Sequence, residues 1–164
     1  MSKELLETRL DTLMHIKRVS QLMSEAASEL LRRGSAHDLS KLSDVENEGF
    51  SKAKHQLADV TYGSEEYKAG MVHLKDTLRH HYAHNSHHPE HYENGIDGMD
   101  LFDILEMFFD WKASGERHPD GCIYKSIEIN KERFKLSEQL INILNNTAKR
   151  LGYHDFSEEE NDNE

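Results

Sequence analysis

The chain is poor in the residues that mark several large classes of protein. Among its 164 residues there is one cysteine, Cys122, and there are two prolines, Pro89 and Pro119. A single thiol cannot form an internal disulfide, and structural zinc sites usually draw on several cysteines. No apolar run approaches the roughly 20 residues that a membrane span needs, and the first residues lack the apolar segment of a secretory signal. We therefore expect a cytoplasmic protein without a membrane partner.

Further absences and the charge limit the chemistry. The sequence has no glycine-rich phosphate loop and no G-x-S-x-G nucleophile motif. Its net charge is −11, and residues 157–164 contribute five acids without a base, so the rest of the chain carries −6. Duplex nucleic acid is disfavoured as a partner, because its phosphates require basic patches. A small phosphorylated substrate is still compatible with this charge, since a bound metal supplies positive charge locally.

What the sequence does contain is helical periodicity. Apolar residues from Leu6 to Leu31 recur at spacings of three and four, which predicts a helix of about 30 residues that ends at Gly34. Further helices are predicted over 37–57, 65–85, 99–113 and 127–151, with loops at 86–98 and 114–121. No strand-like alternation stands out. The predicted fold is all-α, a single-domain bundle of about five to six helices over residues 1–156, followed by a disordered acidic tail at 157–164.

Histidine is the most unevenly distributed residue type. Six of the twelve histidines lie within residues 80–91, and a His37-Asp38 pair and His15 stand upstream. Imidazole is the commonest metal ligand near neutral pH, and histidines beside carboxylates suit divalent transition metals and iron. A polar loop with surface histidines is the alternative interpretation, but it leaves the His37-Asp38 pair and His15 unexplained.

Each upstream residue also has an ordinary structural interpretation. His15 lies in the apolar stripe of the first predicted helix, where a lone histidine is more often a satisfied core residue than a ligand. Asp38 suits an N-cap as well as a metal site. Lys41 follows Asp38 by about one helical turn, so its ammonium group can reach the same cleft.

Three acids lie on one face of the predicted helix over 99–113. They are Asp103, Glu106 and Asp110, spaced at i, i+3 and i+7 between apolar residues. Buried charges are usually paired or metal-bound. We favour Asp110 as a ligand, with Asp103 as the alternative ligand or as a residue that orients one. An ion pair with a base of the final helix is the structural alternative.

The order of these motifs resembles the HD-domain superfamily of metal-dependent phosphohydrolases. That family has a first histidine, a His-Asp pair, one or two further histidines and a distant aspartate. Its extended His-Asp-x-Gly-Lys motif is matched by His37, Asp38 and Lys41, with Ser40 in place of glycine. The run from His87 to Glu90 is similar to a His-His-Glu signature with a proline inserted. Residues 11–112 are also similar to an uncharacterised family of small phage and bacterial proteins with HDxSK and HHPEHY motifs.

The resemblance implies a centre of one or two divalent transition-metal ions (Mn, Fe, Co, Ni or Zn). Its implied ligands are His15, His37, Asp38, His81, His88 and Asp110. Additional or alternative ligands are His80, His84, His87, Asp103 and Asp11. Only seven residues separate the doublet at 80–81 from that at 87–88, which places them on a helix end and the adjoining loop and leaves open which member of each doublet ligates.

The implied function is hydrolysis of a small phosphorylated substrate, a nucleotide, by water that the metal activates. Asp38 and Lys41 are the implied catalytic residues. Two alternatives stay open: an HD-type di-iron oxygenase, and a non-catalytic binding or regulatory module of the phage type that retains the fold. The implied setting is the cytoplasm of a bacterial cell or of a phage-infected host cell, and an oligomer is compatible with the sequence.

Overall fold

The computed structural model describes residues 2–57, 65–117 and 121–153, and within these ranges the chain forms helices and no strand. The α-helices are α1 (Lys3–Ala36), α2 (Asp44–Leu57), α3 (Glu65–His84), α4 (Leu101–Gly115), α5 (Ile123–Phe134) and α6 (Glu138–Arg150). Short 3₁₀ helices cover Leu39–Leu42, Pro89–His91 and Gly95–Gly98. The predicted all-α class is confirmed. No helix in the described ranges combines the length and the apolar character that crossing a bilayer requires.

The chain divides into two compact units, residues 1–37 and 38–164. The first unit is α1, which begins after Ser2, whose hydroxyl accepts a hydrogen bond from the backbone N–H of Leu5. The helix continues through Gly34 to Ala36, so the predicted stop at Gly34 is wrong. A glycine inside a helix costs only about 1 kcal/mol, which the rest of this long helix tolerates. The single domain over residues 1–156 stays a prediction, and the acidic tail at 157–164 lies outside the described residues.

In the second unit, the helix predicted over 37–57 is divided in two. Asp38 has a left-handed backbone (φ 56°, ψ 16°), and Ser43 is extended (φ −67°, ψ 151°) between the 3₁₀ helix and α2. Neither conformation belongs to a continuous helix. The Ser43 hydroxyl donates to the backbone oxygen of Ser40 and lies 3.4 Å from the backbone nitrogen of Glu46, at the start of α2.

A close approach at Gly49 fixes the packing of α2 on α3. A Cβ atom at Gly49 would lie 1.9 Å from Oγ1 of Thr77, so only glycine fits there. Glu46 lies about one turn before Gly49 on α2, and His80 and His81 lie about one turn after Thr77 on α3. The close packing therefore brings these three side chains together.

Helices α4, α5 and α6 enclose the apolar core of the second unit. The rings of Trp111 and Phe134 stack at its edge, 6.2 Å apart and nearly parallel. The predicted single last helix is wrong, because Lys135 takes a left-handed conformation (φ 53°) that separates α5 from α6. Its predicted end is confirmed, since Gly152 has a φ of 73° just after α6. The buried core residues are Phe108, Ile123, Ile127, Leu136, Ile141, Leu144 and Ala148.

Candidate metal centre

The histidine tract folds back on itself where α3 ends. The helix stops at His84, and the backbone N–H of His88 donates to the oxygen of Asn85 at 3.3 Å, which closes a turn. Pro89 then opens a short 3₁₀ helix. This turn sets His87 and His88 against His81 of α3, so the two doublets occupy a helix end and the adjoining loop.

Four side chains meet at this turn, and we call them the central cluster: Asp38, His81, His87 and His88. Each offers one ligand atom, and these atoms all lie within 4.8 Å of one another. Oδ1 of Asp38 lies 3.3 Å from Nε2 of His81 and 3.5 Å from Nε2 of His87. Nε2 of His81 lies 2.9 Å from Nε2 of His88. Ligands bound to one ion at about 2.1 Å are separated by roughly 3.0–3.4 Å, so the spacing fits a shared ion.

Two carboxylates, the fully buried Glu46 and the partly buried Glu106, orient two of these imidazoles. Nδ1 of His81 lies 2.8 Å from Oε2 of Glu46, and Nδ1 of His87 lies 3.0 Å from Oε1 of Glu106. An ionised carboxylate only accepts hydrogen bonds, so each Nδ1 is the protonated nitrogen and each Nε2 presents its lone pair. Carboxylate–histidine pairs of this kind orient metal ligands in many proteins.

The Glu46 carboxylate is kept ionised by its neighbours. Its side chain is fully buried, and burial by itself would raise its pKa. Hydrogen bonds from His80, His81 and Ser40 outweigh burial and hold the pKa of Glu46 below its usual value. Glu46 can therefore act as an acceptor over the whole neutral range.

Ser40 connects Glu46 to Asn85. Its hydroxyl donates to Oε2 of Glu46 at 3.0 Å and accepts from Nδ2 of Asn85 at 2.7 Å. Nδ2 of Asn85 also donates to the backbone oxygen of His81 at 2.7 Å. Glycine could not make these contacts, so the serine helps to fix Glu46 beside the central cluster.

The electrostatics favour neutral imidazoles. Burial, together with the neighbouring His87 and His81, lowers the pKa of His88 to about 3. Burial also lowers the pKa of His81, against the opposing effect of the Glu46 and Asp38 carboxylates. Metal ligation requires the neutral imidazole, so both rings are in the ligating form near pH 7.

Asp38 has contacts on both carboxylate oxygens. Oδ1 faces the imidazoles, and Oδ2 accepts a hydrogen bond from the ammonium group of Lys41. Asp38 precedes the 3₁₀ helix, but its side chain makes no capping hydrogen bond. Lys41 is 44% exposed, so its ammonium group lies between Asp38 and solvent.

The structure separates the three acids of α4. Asp110 and His87 each offer a ligand atom within 4.8 Å of the other, which places this carboxylate beside the central cluster. Asp103 instead accepts hydrogen bonds from the hydroxyls of Ser86 and Tyr92 and from the backbone N–H of Asp100, which forms a capping box at the start of α4. This corrects the expectation that Asp103 is the alternative ligand, because its oxygens serve the helix terminus.

The residues of the first unit do not form one site. His15 is exposed on α1, and it precedes His37 by 22 residues, roughly 33 Å along a helix. The expectation that His15 and His37 converge on one metal is therefore wrong, since ligand bonds are about 2.1 Å long. Asp11 lies one turn before His15 and is also exposed. His37 directly follows α1, and its part in the centre stays a prediction.

His80 and His84 belong to a second group. His80 contacts the other oxygen of Glu46, with Nδ1 2.8 Å from Oε1. Glu46, His80 and His84 each offer a ligand atom within 4.8 Å of the others. The register of α3 thus assigns His81 to the central cluster and His80 to this group.

The sequence did carry a signal for Glu46, which was not among the predicted site residues. Glu46, Gly49, Phe50 and Ala53 share one face of α2 at i, i+3, i+4 and i+7. An acid among apolar residues on one helix face is expected to be buried, and a buried acid needs a hydrogen-bond or ionic partner, as do the acids of α4. Glu106 was noted there, but its contact with His87 depends on packing that the pattern does not reveal.

This geometry defines a class, an all-α protein with a buried cluster of histidine and carboxylate side chains within metal-binding distance. The chain belongs to a family of unknown function, DUF5662, whose model matches residues 4–150. Neither a search of curated proteins nor one of solved structures found a match. The resemblance to the HD-domain superfamily therefore stays a prediction.

Proposed function

We propose that the protein is a metal-dependent phosphohydrolase that acts on a small phosphorylated substrate, a nucleotide. The observation that carries this proposal is the pair of carboxylate–histidine contacts, Glu46 with His81 and Glu106 with His87. Both direct an Nε2 lone pair towards Oδ1 of Asp38, at 3.3 and 3.5 Å. Surface histidines of a polar loop would be solvated and would not need acids held against their rings.

The donor set indicates the class of metal. Three imidazoles and one carboxylate suit a divalent transition ion such as Mn, Fe, Co, Ni or Zn better than Mg or Ca, which prefer oxygen ligands. Asp38, His81, His87 and His88 would hold one ion, and Asp110 supplies a further carboxylate beside it. A bound ion would lower the pKa of a coordinated water and polarise a phosphoryl oxygen.

The chain's own residues supply the other needs of phosphate hydrolysis. Asp38 connects the central cluster to Lys41, because its Oδ1 faces the imidazoles and its Oδ2 contacts the ammonium group of Lys41. Lys41 is half-exposed, so its ammonium group can pair with an incoming phosphate without leaving Asp38. In the reaction, the water oxygen bonds to phosphorus, the ester P–O bond breaks, and the leaving oxygen takes up a proton. The net negative charge favours a substrate of nucleotide size over nucleic acid.

Two variants test the proposal. Asp38→Ala should abolish both metal binding and turnover, because it removes an oxygen that two imidazoles face. Lys41→Ala should keep wild-type metal content while slowing phosphate release about 10²–10³-fold, the usual cost of losing one such electrostatic contact. Lys52→Ala is the matched control, since Lys52 lies on α2 in an exposed pair with Glu48. The measurements are metal per chain and phosphate release from a panel of nucleotides and phosphomonoesters.

Each outcome discriminates between functions. Equal metal loss in Lys41→Ala and Asp38→Ala would assign Lys41 a structural role. Metal binding without hydrolysis of any substrate in the panel would contradict the phosphohydrolase. Oxygen consumption by iron-loaded, anaerobically purified protein would then favour the oxygenase, and its absence a binding module.

A further inference from the structure

We propose that Glu46, His80 and His84 form a second metal site, which we call the outer site, on the solvent side of Glu46. It would take a divalent transition-metal ion such as Zn²⁺. The outer site can exist without a metal in the central cluster. The coupling between the two sites through Glu46 rests on the proposed function.

The helix supplies a chelating pair. His80 and His84 are four residues apart on α3, so their side chains lie on the same face one turn apart. Their rings stack with centroids 4.2 Å apart and 25° between planes. Two imidazoles held in this way need little rearrangement to bind one ion.

Hydrogen bonds determine which ring nitrogen of His84 is available to a metal ion. Nδ1 of His84 donates to the backbone oxygen of His80 at 2.8 Å, which leaves the His84 Nε2 lone pair open to an ion. Oε1 of Glu46 lies 2.8 Å from Nδ1 of His80, close to the roughly 3 Å that separates adjacent ligands of one ion. An ion bound to both atoms would replace the proton that His80 donates to Glu46 in the metal-free protein. The carboxylate is fully buried, so it is a fixed third group rather than a mobile surface acid.

Exposure distinguishes the outer site from the central cluster. The His80 side chain is 34% exposed and His84 is exposed, whereas His81 is 2% exposed. An ion from solvent can therefore reach the outer site directly, and the net charge of −11 attracts cations to the protein.

Glu46 links the two sites. Its Oε1 contacts His80 of the outer site, and its Oε2 contacts His81 of the central cluster, both at 2.8 Å. Because one carboxylate serves both, losing it should weaken both sites. Loss of an orienting carboxylate typically lowers metal affinity about 10–100-fold.

Calorimetric titration of the chelator-treated, full-length protein with Zn²⁺ tests the proposal. The wild type should bind two equivalents, one tightly and one more weakly. His84→Ala should lose the weaker equivalent and keep the tighter one, and it should fold because His84 is exposed. His91→Ala is the matched control, since His91 is also exposed and belongs to the same histidine tract. Its ring lies against Tyr92, and its Nδ1 donates to the backbone oxygen of Tyr82. This variant should keep both equivalents.

The outcomes separate the outer site from the central one. His87→Ala should lose the tighter equivalent and keep the weaker. If the wild type bound one equivalent and His84→Ala kept it, the outer site would be overturned and the central cluster would stand. If the wild type bound one equivalent that His84→Ala lost and His87→Ala kept, the central cluster would be overturned instead. Glu46→Gln, checked for helical content by circular dichroism, should weaken both events, and weakening of only one would overturn the linkage.

Discussion

Asp38 has a backbone conformation that residues other than glycine, asparagine and aspartate rarely adopt. Its φ of 56° and ψ of 16° cost about 1–2 kcal/mol relative to a right-handed conformation. The strain is local to a residue whose two oxygens face His81 and Lys41. Backbone strain of this kind concentrates at functional sites, where the surrounding contacts hold it in place.

The sequence located the segments whose side chains meet in the central cluster, but not every residue around it. It could not decide within the doublets, because a single step along α3 turns His81 towards Asp38 and His80 towards solvent. His87 was only an alternative ligand, yet the turn after α3 brings both His87 and His88 into the cluster. The contacts of Glu46 and Glu106 depend on packing between elements, which local patterns do not encode.

At the residue scale, Glu106→Gln tests whether the carboxylate behind His87 supports ligation. The amide keeps the size of the side chain but cannot accept on two charged oxygens. We expect metal affinity to fall about 10–100-fold, with the fold retained. Metal titration provides the measurement. Glu116→Gln is the control on the same stretch of chain, since Glu116 is 62% exposed beside Lys112, and equal affinity in the two variants would contradict the orienting role.

Some of the helix ends could be predicted from the sequence and others could not. Gly152 was a correct stop, since it takes the left-handed conformation that ends α6. Gly34 was not, because the chain continues as helix to Ala36. The break at Lys135 carried no glycine signal. Ser137, which caps α6 by accepting from the backbone N–H of Leu140, is nevertheless a typical N-cap residue. Leu136, directly after this break, packs into the core, and no local pattern reveals that packing.

At the element scale, Lys135→Gly should stabilise the protein. Glycine adopts a φ of 53° without the Cβ clash, and the relief is about 1 kcal/mol. Lys135→Ala retains a Cβ and should leave the free energy of unfolding nearly unchanged. Urea denaturation of the two variants beside the wild type measures the effect. An equal stability gain in both variants would assign it to the lost charge rather than to the backbone.

For the molecule as a whole, the all-α class followed from periodicity, but the convergence of the site did not. The contact of Gly49 with Thr77 brings α2 against α3, although the two residues are 28 positions apart in sequence. No local pattern specifies that pairing. The expected convergence of His15 with His37 failed for the related reason that one continuous helix keeps them apart.

Stability of the metal-free protein should depend on pH through the buried histidines. The pKa of His88 is about 3 in the folded chain against an ordinary value of 6.5, so the unfolded chain binds a proton first as pH falls. Stability should therefore be full above pH 6.5 and decrease below it, by up to about 1.4 kcal/mol per pH unit for this group, until the pH nears 3. The pKa of His81 is shifted in the same direction. Urea denaturation at pH 7 and pH 5 measures the decrease, which should be smaller in His88→Gln, and an identical decrease would contradict this origin.

The central claim is that Asp38, His81, His87 and His88 bind one metal ion, and anomalous scattering from manganese-soaked crystals tests it most directly. We expect a peak about 2.0–2.3 Å from Nε2 of the three histidines and from Oδ1 of Asp38. Asp38→Ala crystals soaked in the same way should lack that peak. A wild-type crystal without a peak at these four atoms, with manganese bound only elsewhere, would contradict the account.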